Sequence, residues 1–187
     1  MSKLINKELK YKGWRFSVSK TTWEDENKKI YERDFIETFN AAIILPITEN
    51  NEVVFIKEFR EIIGEEILEI PAGIIEPGEA PIEAAKRELE EEAGLKADII
   101  EPLIDVYASG GFSNEKHFLF YAKELKPGKK HLDENEQIAD ELIKIPIERC
   151  IELIKQNTFK HENTNLAILL YYLQQYNKHK ILIDNID

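Results

Sequence analysis

No stretch of this 187-residue chain is more tightly specified than the helix expected from Pro81 to Ala93. Pro81 suits a first helical position, where its missing N–H costs nothing, and Gly94 suits the residue just past the end. Ile82, Ala85, Leu89 and Ala93 recur at helical spacing and predict a buried stripe. Glu88, Glu91 and Glu92 stand at i, i+3 and i+4, so their carboxylates share a face. Like charges at these spacings destabilise a helix, and the apolar stripe lies on the other side. A solvated acidic face is the common fate of a bare Glu-rich helix. A hard divalent cation is the alternative: Mg²⁺ accepts a few carboxylates and keeps waters or phosphate oxygens as its other ligands. Arg87, four residues before Glu91 and four after Glu83, is spaced to orient a carboxylate.

Around this helix the pattern alternates between strand and helix. Trp14–Val18 and Ile30–Ile36 alternate bulky and polar residues as strands do, with an acidic turn at Glu24–Asn27 between them. Ala41–Ile47 and Val53–Phe59 are apolar runs of strand length joined through Glu49-Asn50-Asn51. Glu69–Gly73 follows, then Ile74–Gly78 with its Pro-Gly turn. Further strands are expected at Ile99–Tyr107, His117–Ala122 and Leu142–Ile145, and closing helices at Pro146–Lys155 and Asn163–Tyr176. Helices interleaved with strands predict an α/β class fold, an α/β/α sandwich.

Composition bounds the function. Acidic residues outnumber basic ones 36 to 25, a net charge of −11. That balance disfavours non-specific nucleic-acid binding, which needs basic surface to displace counterions. It is compatible with a small anionic substrate, because bound divalent cations reverse the local field. Cys150 is the only cysteine, so no intramolecular disulfide forms, and it reads as a packing residue. Met1–Lys10 is charged and unlike a signal-peptide core, and no apolar run approaches the roughly 18 residues needed to cross a bilayer. A cytoplasmic protein with no membrane partner is expected.

From Gly73 the chain reads Gly73, five residues, Glu79, seven residues, then Arg87-Glu88-Leu89-Glu90-Glu91-Glu92-Ala93-Gly94-Leu95. This pattern resembles the Nudix box at each of its defining positions. Glu69-Ile70-Pro71-Ala72-Gly73 and Glu58-Phe59-Arg60 resemble the ADP-ribose pyrophosphatase branch of the family. The resemblance runs from about Trp14 to Ile145. It implies a Nudix-type sandwich with a mixed sheet over residues 41–187, preceded over residues 1–40 by an antiparallel strand region for dimerisation and base binding. It also implies hydrolysis of the pyrophosphate bond of a nucleotide sugar, with ADP-ribose giving AMP and ribose 5-phosphate. Another nucleotide sugar, GDP-mannose or ADP-glucose, is the rival substrate. A catalytically silent nucleotide-sensing module would be expected to lack one of the metal carboxylates, and none is missing.

By the same resemblance, Glu88 and Glu92 bind Mg²⁺ (with Mn²⁺ as a substitute). The Ala72 carbonyl is a further ligand, and Glu91 is bound directly or through water, so it counts among both the metal and the catalytic residues. Hydrolysis also needs a carboxylate to take the proton of the attacking water. The stretch His131–Ile138 resembles the family's acidic loop, with Glu136 or Glu134 as that base. Arg60 resembles an arginine that grips phosphate or the terminal ribose. Trp14, Tyr31 and Glu32 resemble residues that sandwich and hydrogen-bond adenine in dimeric relatives, which implies a homodimer. Gly110, in Ser109-Gly110-Gly111, stands where the branch usually carries proline. It is the substrate-side departure, with a more permissive backbone.

Overall fold

The computed structural model describes residues 1–132 and 137–184, with side chains through residue 176. In chain order the elements are β1 (Lys3–Lys12), β2 (Phe16–Glu24), β3 (Ile30–Thr38), β4 (Ala41–Pro46), β5 (Glu52–Arg60), β6 (Glu65–Glu69) and β7 (Ala72–Ile74). Then come α1 (Pro81–Ala93), β8 (Leu95–Tyr107), β9 (Lys116–Pro127), β10 (Ile143–Pro146), α2 (Ile147–Lys155) and α3 (Glu162–Asp184).

The central sheet has the order β7-β4-β9-β8. Its inner pair β4 and β9 is parallel, while β4–β7 and β8–β9 are antiparallel, so the sheet is mixed. Strand alternation distributes its side chains between two cores. Ala42 and Ile44 of β4, with Phe120 and Ala122 of β9, pack with Ala84, Ala85, Leu89 and Ala93 of α1. Ile43 and Leu45, with Leu119 and Tyr121, pack with Ile147 and Cys150 of α2 and Ala167, Ile168 and Tyr171 of α3. That is the expected α/β/α sandwich. It explains why Ala41–Ile47 reads as a nearly continuous apolar run: this strand is covered on both faces. Leu89 is fully buried, and truncating such a leucine to alanine costs about 2–5 kcal/mol.

A second sheet, β10-β5-β6, continues the wall, and Phe55 of β5 stacks on Phe159 at 4.9 Å between ring centroids. β1, β2 and β3 form a third, antiparallel sheet. It joins the rest through Ile36, whose N–H donates to the Phe112 carbonyl, and through the Thr38 N–H to Asn114 Oδ1. β1 is exposed along its whole length.

Two elements escaped the pattern reading. β1 mixes five charged residues with Leu4, Ile5, Leu9 and Tyr11, and β6 is short and acidic, so neither shows an apolar pattern long enough to mark a strand. The first N-terminal strand after β1 starts at Phe16 rather than Trp14, which sits in the bend before it and is 83% exposed. Among the described residues no helix is long and apolar enough to cross a membrane.

Candidate active site

α1 begins at Pro81 and ends at Gly94, whose φ of 63° takes the left-handed region that a side chain disfavours and whose N–H closes on the Glu90 carbonyl. The sequence pattern placed the burial of α1 on the apolar stripe alone. The structure adds Glu88 and Glu92, only 5% and 3% exposed. The reason is the close approach of β7. A Cβ on Gly73 would fall closer than 3.0 Å to the Glu88 carboxylate, so glycine is what lets the strand lie on that side chain. The neighbouring Ala72 N–H donates to Glu92 Oε2 at 2.8 Å. In an extended residue the carbonyl points to the same edge as the N–H, which turns the Ala72 carbonyl toward the same helix face.

Arg87 gathers the remaining carboxylates. Its Nε and Nη2 donate to the two oxygens of Glu79 at 3.0 and 3.1 Å, a bidentate fork. Nη1 reaches Glu88 Oε1 at 2.6 Å and Glu91 Oε2 at 2.9 Å, and Nη2 also reaches the Ile74 carbonyl at 2.9 Å. These bonds, that to Glu79 first, hold the Arg87 guanidinium charged and well above its ordinary range. Reciprocally, Arg87 holds the Glu79 carboxyl below the usual carboxylate range. Among the described residues, no three acidic, His or Cys side chains are arranged to hold a metal ion as they stand, with Arg87 bonded to Glu79, Glu88 and Glu91 and the Ala72 N–H bonded to Glu92. The donor set is nonetheless all oxygen and mostly anionic, with glycine leaving room beside Glu88. It fits a hard divalent cation that takes over part of Arg87's role.

Arg60 donates from Nε and Nη2 to Glu69 at 2.9 and 2.7 Å, and its Nη1 lies 2.9 Å from Glu58 Oε1. Glu69 and Glu58 are buried, so this guanidinium neutralises two desolvated carboxylates, with Glu69 the larger cause of its raised pKa.

A cleft of about 1010 Å³ joins these groups. Its lining includes Glu58, Arg60, Ala72, Gly73, Arg87, Glu88, Glu91 and Glu92 together with Trp14, Arg15 and Phe39. Of the expected substrate residues, Arg60 and Trp14 reach this cleft. Tyr31 and Gly110 do not; they line a separate cavity of about 480 Å³ with Trp23, Phe35 and Phe112. Glu32 lies on the N-terminal sheet, paired with Lys20 at 2.7 Å. Within one chain, then, Tyr31, Glu32 and Gly110 stand apart from the carboxylate cluster. Glu134 and Glu136 fall outside the described residues.

Sequence reasoning missed Glu115, His117 and Asn163, which also line the cleft. A signal was available at His117: it shares the inward face of β9 with Leu119 and Tyr121, where an apolar residue is expected.

The NUDIX domain family model matches residues 38–160, which spans β4, the carboxylate helix and most of the cleft's lining. The chain belongs to the Nudix family. This Nudix chain is 33% identical over 174 residues to the ADP-ribose pyrophosphatase of Bacillus subtilis (strain 168), covering 92% of each. It is 32% identical over 180 residues to a methanol dehydrogenase activator of Bacillus methanolicus, covering 95% of this chain and 96% of that one. A crystal structure of an ADP compounds hydrolase superposes with a TM-score of 0.82 at 23% identity, over 96% of this chain and 95% of that chain, which establishes the Nudix fold.

Proposed function

We propose that this Nudix hydrolase cleaves the pyrophosphate bond of ADP-ribose to give AMP and ribose 5-phosphate, using Mg²⁺, for which Mn²⁺ can substitute. The observation that carries the reading is the single cleft in which the carboxylate face of α1 meets the aromatic side chains of Trp14 and Phe39. Its volume lies at the upper end of the roughly 300–1,000 Å³ range of small-molecule sites, ample for a nucleotide sugar. Homology to the pyrophosphatase of Bacillus subtilis supports the same substrate.

Glu88, Glu92, Glu91 and the Ala72 carbonyl would hold the cation. When bound, it neutralises phosphate charge and acidifies a water. The chain's own groups do the rest. Arg87 fixes the rotamers of Glu88 and Glu91, Gly73 keeps the carboxylate edge open, and Trp14 offers a face on which adenine can stack. Glu136 or Glu134 serves as the base. That assignment is supported by how the flanks of its segment are tied. The His131 N–H donates to the Glu91 carbonyl, and the Phe59 N–H donates to the Gln137 carbonyl, so the segment's two ends are fastened to the helix and to β5.

The N-terminal region, residues 1–40, completes the reading as a dimerisation and base-binding element of a cytoplasmic homodimer. Tyr31 and Glu32, distant from the carboxylates within one chain, would then serve a neighbouring subunit. The test is product identification: the protein incubated with ADP-ribose and Mg²⁺ yields AMP and ribose 5-phosphate by chromatography and ³¹P NMR. An intact substrate, or release of adenine or free phosphate instead, overturns the proposal.

A further inference from the structure

The cations that line the cleft are not equally available to a ligand. Arg60 and Arg87 spend their donors on buried and partly buried carboxylates. Lys160 finds no carboxylate among the described residues; its Nζ donates to the neutral Asn157 carbonyl at 2.8 Å. It stands just before α3, where His161 and Asn163 also line the cleft. The α3 ladder opens with the Asn165 N–H donating to the His161 carbonyl, so the N–H groups of Glu162, Asn163 and Thr164 have no acceptor within the helix. α3 is 23 residues long, and this end carries the positive pole of its dipole.

Asn163 adds a buried donor at the same place. Only 5% exposed, it uses one end of its amide on His117, with Oδ1 lying 2.9 Å from Nδ1. Its Nδ2 finds no partner among the described residues, yet it is not sealed in the core. Asn165 Oδ1 is the one fully buried side-chain polar atom there without a partner. Asn163 Nδ2 therefore opens on the cleft that its side chain lines, next to backbone donors and an ammonium group. A set of donors with no acceptor among them suits an anion. The nearby acids leave room for one: Glu115 is engaged by His117 Nε2 at 3.2 Å, and Glu162 is exposed, where water and salt screen its charge. That anion is not the diphosphate at the metal edge. His117 lies opposite Ala41, which lies opposite Ile74 of β7, so the two places are two strands, about 10 Å, apart across the sheet.

We propose that Asn163, Lys160 and the first turn of α3 form a second anion subsite, which receives a phosphate monoester that the substrate carries outside its diphosphate. The inference rests on the ADP-ribose reading of the cleft and extends it to ADP-ribose phosphorylated on one of its two riboses. The subsite selects among substrates; the hydrolytic step stays at the carboxylate face of α1.

The experiment has a binding arm and a turnover arm. In the first, inorganic phosphate is titrated calorimetrically into the metal-free protein. Asn163→Asp keeps an oxygen for His117 but replaces the donor with a negative charge, so phosphate affinity falls on the order of tenfold or more. Lys160→Ala loses a similar factor, and at an exposed position it carries the test if Asn163→Asp melts early. In the second arm, kcat and KM with Mg²⁺ are compared for ADP-ribose, its adenosine 2′-phosphate and its distal-ribose 1″-phosphate. Wild type shows a KM on the order of tenfold lower for one phosphorylated substrate than for ADP-ribose, at similar kcat, which identifies the ribose. Both variants abolish that preference. No phosphate binding by wild type, equal binding by wild type and variants, or no preference for either phosphorylated substrate overturns the subsite. Wild type that binds phosphate in this variant-sensitive way yet cleaves none of the three substrates would instead overturn the proposed function.

Discussion

Gly73 and Glu88 are in such close apposition that any side chain at position 73 would occupy the space of the Glu88 carboxylate. A methyl group there must displace the carboxylate from the helix face it shares with Glu91 and Glu92. Gly73→Ala is therefore expected to lower kcat by about a hundredfold or more at ordinary Mg²⁺, with an overpacking cost to stability of about 1–3 kcal/mol. Steady-state kinetics across a Mg²⁺ titration, with thermal melting alongside, checks it. A variant with wild-type kcat and unchanged Mg²⁺ dependence contradicts the geometry.

Glu92 has two separable roles. Its carboxylate accepts the Ala72 N–H, and it belongs to the proposed metal set. Glu92→Gln keeps an oxygen for that N–H, so the metal-free protein melts close to wild type while activity with Mg²⁺ falls by most of its value. Glu92→Ala leaves the partly buried Ala72 N–H without this acceptor and costs a further ~1 kcal/mol. Melting curves of both variants without metal, set beside their activities, separate the roles. Near-wild-type turnover by Glu92→Gln in saturating Mg²⁺ would remove it from the metal set.

The fork between Arg87 and Glu79 predicts a pH effect. Arg87 depresses the folded pKa of Glu79 below its ordinary 4.5. The pair therefore stabilises the fold fully above about that pH, and the contribution is lost as pH falls through the lower folded value. In Glu79→Gln the slope of Tm against pH below 4.5 becomes shallower, while the slope near neutrality is unchanged. Identical acid limbs in wild type and variant would show that the fork contributes nothing to acid stability.

Much of this site was legible because α1 declares itself locally. Pro81, Gly94 and the 3.6-residue spacing are all short-range signals, and the alternating burial of Ala42, Ile43, Ile44 and Leu45 is implicit in a run apolar on both faces. What was not legible depends on contacts between segments far apart in the chain. The burial of Glu88 and Glu92 follows from β7 lying on α1, some fifteen to twenty residues earlier, and spacing within the helix cannot report it. The pairing of His117 with Asn163 spans 46 residues and joins a strand to a helix. β1 was missed for a different reason: it pairs with β2 alone and buries neither face, so its short alternation from Glu8 to Lys12 marks no core.

The N-terminal sheet leaves Leu4, Ile5, Leu9, Tyr11, Phe16 and Ile30 exposed, more apolar surface than an isolated small sheet usually shows to water. A homodimer that covers part of it is the expected state, with a mass by light scattering of twice the 21.8 kDa chain. Deleting the segment should lower both mass and activity. A monomer at working concentration, or full activity after deletion, contradicts the role proposed for residues 1–40.

The central claim is that the cleft is built for ADP-ribose. It is tested most directly by kcat/KM measured side by side, with Mg²⁺ near neutral pH, for ADP-ribose, ADP-glucose, GDP-mannose and a nucleoside triphosphate. The account predicts ADP-ribose first, ahead of GDP-mannose by roughly tenfold to a hundredfold, the factor expected if Glu32 of a neighbouring subunit supplies a base hydrogen bond that guanine cannot satisfy. GDP-mannose or ADP-glucose turning over faster than ADP-ribose would contradict it.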